Sequence, residues 1–182
     1  ILNATGNVTQ SAAGIIGGAG GVVKNGAGTF TVNRTNTYTG TTTINSGTVT
    51  MGANNVFADA STILVNGGTL NANSRTDTVA GVRLDSGAIT GTTGALTSTT
   101  AHDLRSGTVT KILGGTAGLN KTTAGTVILS GANTYTGATT ISAGTLTLGA
   151  ANRIANASAV TVDAGATFNL NNFAETVGSI AG

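Results

Sequence analysis

The sequence predicts an all-β fold, a parallel β-solenoid of about nine rungs of roughly 20 residues each. Short runs rich in Thr, Val and Leu alternate polar with apolar residues, which is the pattern of half-buried strands. Glycine-led motifs recur every 18 to 21 residues, close to the length of one solenoid turn. The composition is far from average globular usage, because the 182 residues include 29 Gly but no Pro, Cys or Trp, and only 8% are charged.

Residues 125–149 are the clearest copy of the repeat. Two predicted strands, Gly125–Leu129 and Gly144–Leu148, flank a connection, Ser130–Thr140, that is rich in turn-forming residues. Each rung is therefore expected to consist of a strand, a tight corner, a second strand and a longer connection.

Eight glycines and two tyrosines define the repeat. The glycines are expected at corners such as Ile44-Asn45-Ser46-Gly47, because Gly and Asn tolerate positive φ and Ser can bond the local backbone. The tyrosines lie in two copies of Asn-Thr-Tyr-Thr-Gly. The set is Gly28, Gly47, Gly68, Gly87, Gly107, Gly125, Gly144, Gly165, Tyr38 and Tyr135.

A longer period predicts that residues 1–182 form a single solenoid of two tandem units. Residues 17–68 align without gaps to residues 114–165 at an offset of 97, with about half of the positions identical. The second unit has one extra residue, in the corner after Val162. A one-residue insertion within a strand would move its side chains to the opposite face, whereas an insertion in a corner does not. The units span approximately 15–91 and 112–182, and the junction 92–111 is expected to be less regular.

The alternation assigns side chains to two faces, and parallel stacking about 4.8 Å apart would make a rod about 40 Å long. The residues expected to point inward are Phe30, Val32, Val49, Met51, Leu70, Ala72, Val109, Val127, Leu129, Leu146, Leu148, Phe168 and Leu170. The threonines expected to offer outer-face contacts are Thr29, Thr31, Thr48, Thr50, Thr108, Thr110, Thr145 and Thr147. Such rows also allow an ice-binding alternative, although Asn71, Ala88, Ile128 and Asn169 interrupt them.

Charge and hydropathy exclude several classes of partner. The formal net charge is +2 and the eight basic residues are scattered singly, so no nucleic-acid partner is expected. No run approaches the roughly 18 apolar residues of a membrane span, so no membrane insertion of this segment is expected. The first residues lack the pattern of a signal peptide, and the chain is expected to be a segment or a mature fragment.

No catalytic residue, metal site or cofactor is expected. His102 has no Cys or second His to join it, and it is interpreted as a solvated residue in an irregular connection. The six carboxylates are spread along the chain, and a polysaccharide-cleaving enzyme would need two of them to converge, such as Asp85 and Asp103. The run Gly17–Gly21 is interpreted as a close-packed turn. Tyr38 and Tyr135 are expected to cover apolar surface with their hydroxyl groups reaching solvent or backbone, the alternative being platforms for sugars.

Residues 125–149, GTVILSGANTYTGATTISAGTLTLG, closely resemble the autotransporter-associated β-strand repeat of Gram-negative type V secreted passenger domains. Residues 28–52 are a weaker copy, with Arg34 and Thr35 where the better copy has Gly131 and Ala132. The resemblance implies a right-handed parallel β-helix displayed outside the cell, as a stalk, an adhesin or a secretion-assisting repeat.

The expected function is that of a non-enzymatic structural module, extracellular or on a bacterial cell surface. It would be a stalk, an adhesin scaffold or a fibre subunit, whose reach grows as repeats are added. The expected partners are a second copy stacked head to tail, neighbouring repeats of a longer chain, or a glycan or protein receptor on a host or other surface.

Overall fold

The structure is a computed structural model that describes residues 1–11 and 13–182. Its described residues form strands, turns and bends, with no helix among them. The strands are β1 (Val8–Thr9), β2 (Val22–Lys24), β3 (Thr29–Val32), β4 (Thr42–Ile44), β5 (Thr48–Met51), β6 (Thr62–Asn71), β7 (Asp77–Val79), β8 (Gly81–Thr90), β9 (Ala95–Ser98), β10 (His102–Leu104), β11 (Gly107–Val109), β12 (Ile112–Gly114), β13 (Leu119–Lys121), β14 (Thr126–Leu129), β15 (Thr139–Ile141), β16 (Thr145–Leu148), β17 (Ala159–Val162), β18 (Thr167–Asn169) and β19 (Ser179–Ala181).

All of the strand pairs are parallel and stack rung upon rung. The first face consists of β2, β4, the start of β6, the start of β8, β10, β13, β15, β17 and β19. The second face consists of β1, β3, β5, the end of β6, the end of β8, β11, β14, β16 and β18. A short third face consists of β7, β9 and β12. The chain is therefore a parallel β-solenoid of about nine turns, as predicted, and its right-handedness stays a prediction.

The core is a continuous column of apolar side chains inside the rod. In β3, β5 and β16 every second residue is buried, as the alternation predicts. Phe30, Val49, Leu70 and Ile89 occupy successive positions in register and are at most 4% exposed. β-Branched and aliphatic residues suit this pleated surface because they pack against equivalent residues one rung away.

The last turn departs from the predicted core. Leu170, predicted to face inward, is 42% exposed and follows the end of β18. No described rung stacks on the far side of this turn, so its inward residues lack one of the two neighbours that bury the others. Leu170 still lines an apolar cavity at the end of the rod together with Phe168, so its exposure reflects the missing neighbour and does not contradict its predicted inward direction.

The stacking register also differs from the motif alignment at one step. The alignment sets Gly107 level with Gly125, but Gly107 pairs with Val127, and Thr108 pairs with Ile128. The difference of two residues leaves every side chain on the face predicted for it, because the strand period is two.

The segment 92–111, expected to be less regular, contains β9, β10 and β11. The solenoid thus continues through this segment with strands on all three faces. The division of the chain into two units stays a prediction.

Candidate functional site: outer surface and buried polar groups

The repeat-defining glycines stack at the corner between the first and second faces. Gly47 has a φ of +69°, and a Cβ there would lie 2.5 Å from the carbonyl oxygen of Gly28. The same close approach to a glycine carbonyl of the preceding rung recurs at Gly87, Gly107 and Gly144. Gly is required in this column because rungs about 4.8 Å apart leave no room for a side chain there.

The outward threonines form rows on the second face. One row runs through Thr29, Thr48 and Thr69 and continues through Ala88, Thr108, Ile128 and Thr147. A second row runs through Thr31, Thr50, Asn71 and Thr90. Thr145 lies in a third row, between Thr126 and Thr167, and Thr110 is exposed just beyond the end of β11. The rows are short and interrupted, since the longest unbroken run in the first has three threonines.

The two tyrosines are buried, not displayed. The Tyr38 and Tyr135 side chains are at most 2% exposed. The Tyr38 hydroxyl lies 2.5 Å from Thr42 Oγ1, and the Tyr135 hydroxyl lies 2.8 Å from Thr139 Oγ1. The prediction that the hydroxyls reach solvent or backbone was wrong, because inward threonines on the first face supply the partners. Because both tyrosine rings are buried, neither has an exposed face on which a sugar ring could stack.

The asparagine of each Asn-Thr-Tyr-Thr-Gly motif joins two neighbouring rungs. Asn133 accepts a hydrogen bond from the Leu113 N–H at 2.8 Å and donates its amide to the Arg153 carbonyl at 2.7 Å. Asn36 makes the equivalent pair of contacts with Ile16 and Val56. The motif therefore provides hydrogen-bond partners for main-chain groups of the rungs on either side of it.

Two carboxylates take over this bridging role in the next rungs. Asp77 is buried, and its Oδ2 accepts hydrogen bonds from the Val56 and Phe57 N–H groups at 2.8 and 3.0 Å. Glu175 accepts from the Arg153 and Ile154 N–H groups at 2.7 and 3.2 Å. Burial raises the pKa of Asp77 to about 6, against the opposing effect of those N–H donors.

Sequence reasoning missed three buried lysines, at positions 24, 111 and 121, which are at most 1% exposed. Lys24 Nζ donates to the carbonyls of Gly26 and Ser46, and Lys121 Nζ donates to those of Thr123 and Ala143. Burial lowers the pKa of all three lysines. The alternation of inward and outward residues was the signal that could have found two of them. Lys24 ends β2 level with the inward Ile44 of β4, and Lys121 ends β13 level with the inward Ile141 of β15.

His102 lies in the core on β10, so its interpretation as a solvated residue was wrong. Its Nε2 lies 3.1 Å from the Gly114 carbonyl oxygen, and its ring centroid lies 6.1 Å from that of Tyr135. Burial lowers the pKa of His102 to about 4, so the imidazole is neutral at physiological pH. No group of three or more His, Asp or Glu side chains that could hold a metal ion occurs in residues 1–11 and 13–182.

Asp85 and Asp103 do converge, on the outer surface of the first face, but each is bound to an arginine. Arg83 forms a bidentate pair with Asp85 at 2.7 and 2.8 Å, and Arg105 Nη2 lies 3.0 Å from Asp103 Oδ2. Arg105 Nε also lies 3.4 Å from Asp85 Oδ1. Both carboxylates are therefore engaged in ion pairs with Arg83 and Arg105 and do not form a free carboxyl pair.

A polar groove of about 600 Å³ lies where the second face meets the third. Asn71, Asn73, Ser74, Arg75, Thr90, Gly91, Thr92 and Thr110 line it. Two of the outer-row residues, Asn71 and Thr90, thus contribute to it together with Thr110. Nowhere in the described part of the chain is there a helix long and apolar enough to cross a membrane.

Comparison with known families places two repeats within this framework. The family model described as the passenger-associated-transport-repeat matches residues 22–51 and residues 119–148. This finding confirms the resemblance to an autotransporter passenger repeat. Each matched segment holds one buried corner lysine and one Asn-Thr-Tyr-Thr-Gly motif. No curated protein and no solved structure matches the chain significantly.

Proposed function

We propose that this β-solenoid, which carries two copies of the passenger-associated transport repeat, is a structural module of a bacterial surface or secreted protein. It would act outside the cell as a stalk, an adhesin scaffold or a fibre subunit. The observation that supports the proposal is the continuous parallel stacking through about nine turns around one apolar column. Each rung stabilises its neighbours, so the length of the rod increases as rungs are added.

Apolar surface at both ends supports contact with further rungs. A cavity of about 410 Å³ at one end is lined by Val162, Phe168, Leu170, Val177 and Ile180 together with Glu175. At the other end, a cavity of about 330 Å³ includes Ile1, Leu2, Val8, Ile16 and Phe30 in its lining. Parallel strand edges and apolar residues together favour another solenoid rung as the partner, either of a longer chain or of a second copy stacked head to tail.

Light scattering and electron microscopy across a concentration series test the proposal. We expect rods about 40 Å long that join end to end as concentration rises. Ile180→Lys, at the 64% exposed end position, should abolish the joining, whereas Ile128→Lys, at a 41% exposed position on the side of the rod, should leave it unchanged. A monomer at every concentration would contradict head-to-tail stacking, and a compact, non-elongated particle would contradict the stalk role itself.

The two alternatives receive less support from the geometry. Ice binding would require long threonine rows, and Ala88 and Ile128 interrupt the best of them. Thermal hysteresis that is lost on Thr48→Tyr or Thr147→Tyr would favour this alternative. Polysaccharide cleavage would require a free carboxyl pair, and cleavage of a glycan that is lost on Asp85→Asn would favour it over the structural role.

A further inference from the structure

The polar groove at the edge of the second face has the features of a ligand site. Three successive rungs contribute to its walls: the first provides Asn71 and residues 73–75, the second residues 90–92, and the third Thr110. The lining consists of three threonines, one serine, two asparagines, one arginine and one glycine, without an aromatic ring or a carboxylate. Rungs about 4.8 Å apart give the groove a length of roughly 10 Å along the rod.

A buried lysine fixes the shape of the floor. Lys111 Nζ donates to the Arg75 carbonyl at 2.6 Å, the Thr93 carbonyl at 2.7 Å and the Asn73 carbonyl at 3.3 Å. It thereby ties together two loops that form the walls. Gly91 lies directly against this lysine, since a Cβ there would be 2.5 Å from Lys111 Cδ. The groove is held in one shape before any ligand arrives, which lowers the entropy cost of binding.

The charge of the groove is positive. Arg75 is an exposed residue at the wall, and the ion pairs of the described residues involve Arg83 and Arg105 but not Arg75. The Lys111 ammonium group lies beneath the same loops. The Arg75 guanidinium group has no carboxylate partner among the described residues and lies above the Lys111 ammonium group, so this position favours an anionic ligand group. The planar guanidinium can donate two parallel hydrogen bonds to carboxylate or sulfate oxygens.

The remaining lining groups suit a chain of hydroxyl groups. Ser74 and Thr92 are exposed, and their hydroxyl groups can both donate and accept hydrogen bonds. The asparagines are oriented by the protein, since Asn71 Oδ1 accepts from the Asn73 N–H and Asn73 Nδ2 donates to the Met51 carbonyl. Polar groups held in fixed positions confer specificity for a ligand with complementary polar groups.

We propose that this groove binds an anionic oligosaccharide, with Arg75 contacting a sugar carboxylate or sulfate and Ser74, Thr90 and Thr92 contacting ring hydroxyl groups. An acidic peptide is a poorer fit, because β6, β8 and β11 are already paired on both edges and offer no free strand edge for β-addition. A single-stranded nucleic acid would need aromatic stacking platforms, and the lining has none.

A second groove on the same edge of the rod provides a matched control. Ile15, Asn33, Arg34, Thr35, Ala53 and Asn54 line a cavity of about 410 Å³. It also holds one arginine, but Ile15 and Ala53 replace hydroxyl-bearing residues, and no buried lysine donates to its loops in the described residues. Arg34→Gln therefore removes an equal charge from a similar place on the surface.

The test is calorimetric titration of the whole chain with three short oligosaccharides of equal length: a uronic acid oligomer, a sulfated oligomer and neutral dextran. We expect one or both anionic probes to bind, more weakly at high salt, and dextran not to bind. Preference for one anionic probe identifies whether the group is a carboxylate or a sulfate. Arg75→Gln should weaken binding about tenfold, Thr92→Val should weaken it a few fold, and Arg34→Gln should leave it unchanged.

Several results would overturn the proposal. They are no binding of either anionic probe at millimolar concentration, an equal loss in Arg34→Gln and Arg75→Gln, or tighter binding of a polyglutamate peptide than of both saccharides. Arg75 and Thr92 are exposed, so the variants are expected to fold, and circular dichroism verifies this. The proposal goes beyond the structural role, and its failure would leave that role standing, because rod shape and stacking are measured without a ligand.

Discussion

Buried polar residues in this solenoid are paired mainly with the backbone of neighbouring rungs. The rod is so narrow that an inward side chain at a corner reaches main-chain groups of the rung beside it, as Lys121 and Asn133 do. Asp77 and His102 are the two buried groups that titrate near neutral or mildly acidic pH, and burial moves their pKa values in opposite directions. One oxygen of Asp77 and Nδ1 of His102 have no hydrogen-bond partner in the described structure.

The opposing pKa shifts predict how stability depends on pH. The pKa of Asp77 rises from 3.8 to about 6 on folding, so its stabilising contribution is complete below pH 3.8 and is lost as pH rises through 6. The pKa of His102 falls from 6.5 to about 4, so its contribution is present above pH 6.5 and is lost as pH falls through 4. Each shift corresponds to about 3 kcal/mol, and the two slopes nearly cancel between pH 4 and 6.

Asp77→Asn should remove one of these slopes. The free energy of unfolding of the variant is expected to rise by about 3 kcal/mol between pH 4 and 6.5, while that of the parent chain stays nearly constant. Urea unfolding at several pH values measures both. Asp163→Asn, at an exposed carboxylate that is not among the groups acting on Asp77, is the control and should behave like the parent. Parallel pH profiles for Asp77→Asn and the parent chain would show that Asp77 does not titrate in this range.

At the scale of the element, the corners decide how closely rungs approach. Gly144 has a φ of +68°, and a Cβ there would collide with the Thr123 carbonyl oxygen. On the outside of the same kind of corner, Asn25 donates to Asn3, Asn45 to Asn25, and Asn66 to Asn45 through their side-chain amides. A glycine column inside and an asparagine ladder outside thus hold successive corners in line.

Gly144→Ala should therefore destabilise the fold, whereas Gly20→Ala should not. We expect Gly144→Ala to lower the free energy of unfolding by about 2 kcal/mol or more, because the positive φ strains an L-residue and the methyl group meets two carbonyls. Gly20→Ala is the matched control, since a Cβ at Gly20 meets nothing within 4 Å. Urea denaturation midpoints measure both, and equal midpoints would show that the corner tolerates a side chain.

At the scale of the whole molecule, stability is distributed along one dimension. Each rung contacts the rung on either side, and the pairings link strands about 20 residues apart. Each interior rung has a neighbouring rung on both sides, whereas β19 pairs with β17 alone and all of its residues are exposed. Local opening is therefore expected to begin at the end rungs.

Native-state hydrogen exchange should show this gradient. We expect the amides of β18 and β19 to exchange fastest among the strands after β1, and those of β6, β8 and β11 slowest, because the latter lie between two paired neighbours near the middle of the rod. Mass spectrometry of peptides along the chain measures the gradient. Uniform protection from the first rung to the last would indicate that the whole rod opens as a single unit.

Local patterns were sufficient to predict the fold. Alternation in β3, β5 and β16 specified which side chains enter the core, and glycines about 20 residues apart specified the length of a turn. Both signals lie within a single rung. Similar rungs stack in parallel because the unpaired strand edges of one rung can hydrogen-bond to the strand edges of the next. Residues 125–149 and their weaker copy, residues 28–52, likewise resemble the repeat family whose model matches residues 119–148 and 22–51.

The partners of polar side chains were decided by the tertiary structure. Lys111 binds carbonyls 18, 36 and 38 residues away, and a two-residue change in register at Gly107 determines which threonine rows are continuous. Asp85 and Asp103 were named only as the pair that a polysaccharide-cleaving enzyme would need, and the structure places both of them against Arg83 and Arg105. The sequence by itself determined the rung, because rung geometry is local; stacking determined the contacts between rungs, because those depend on register across the whole rod.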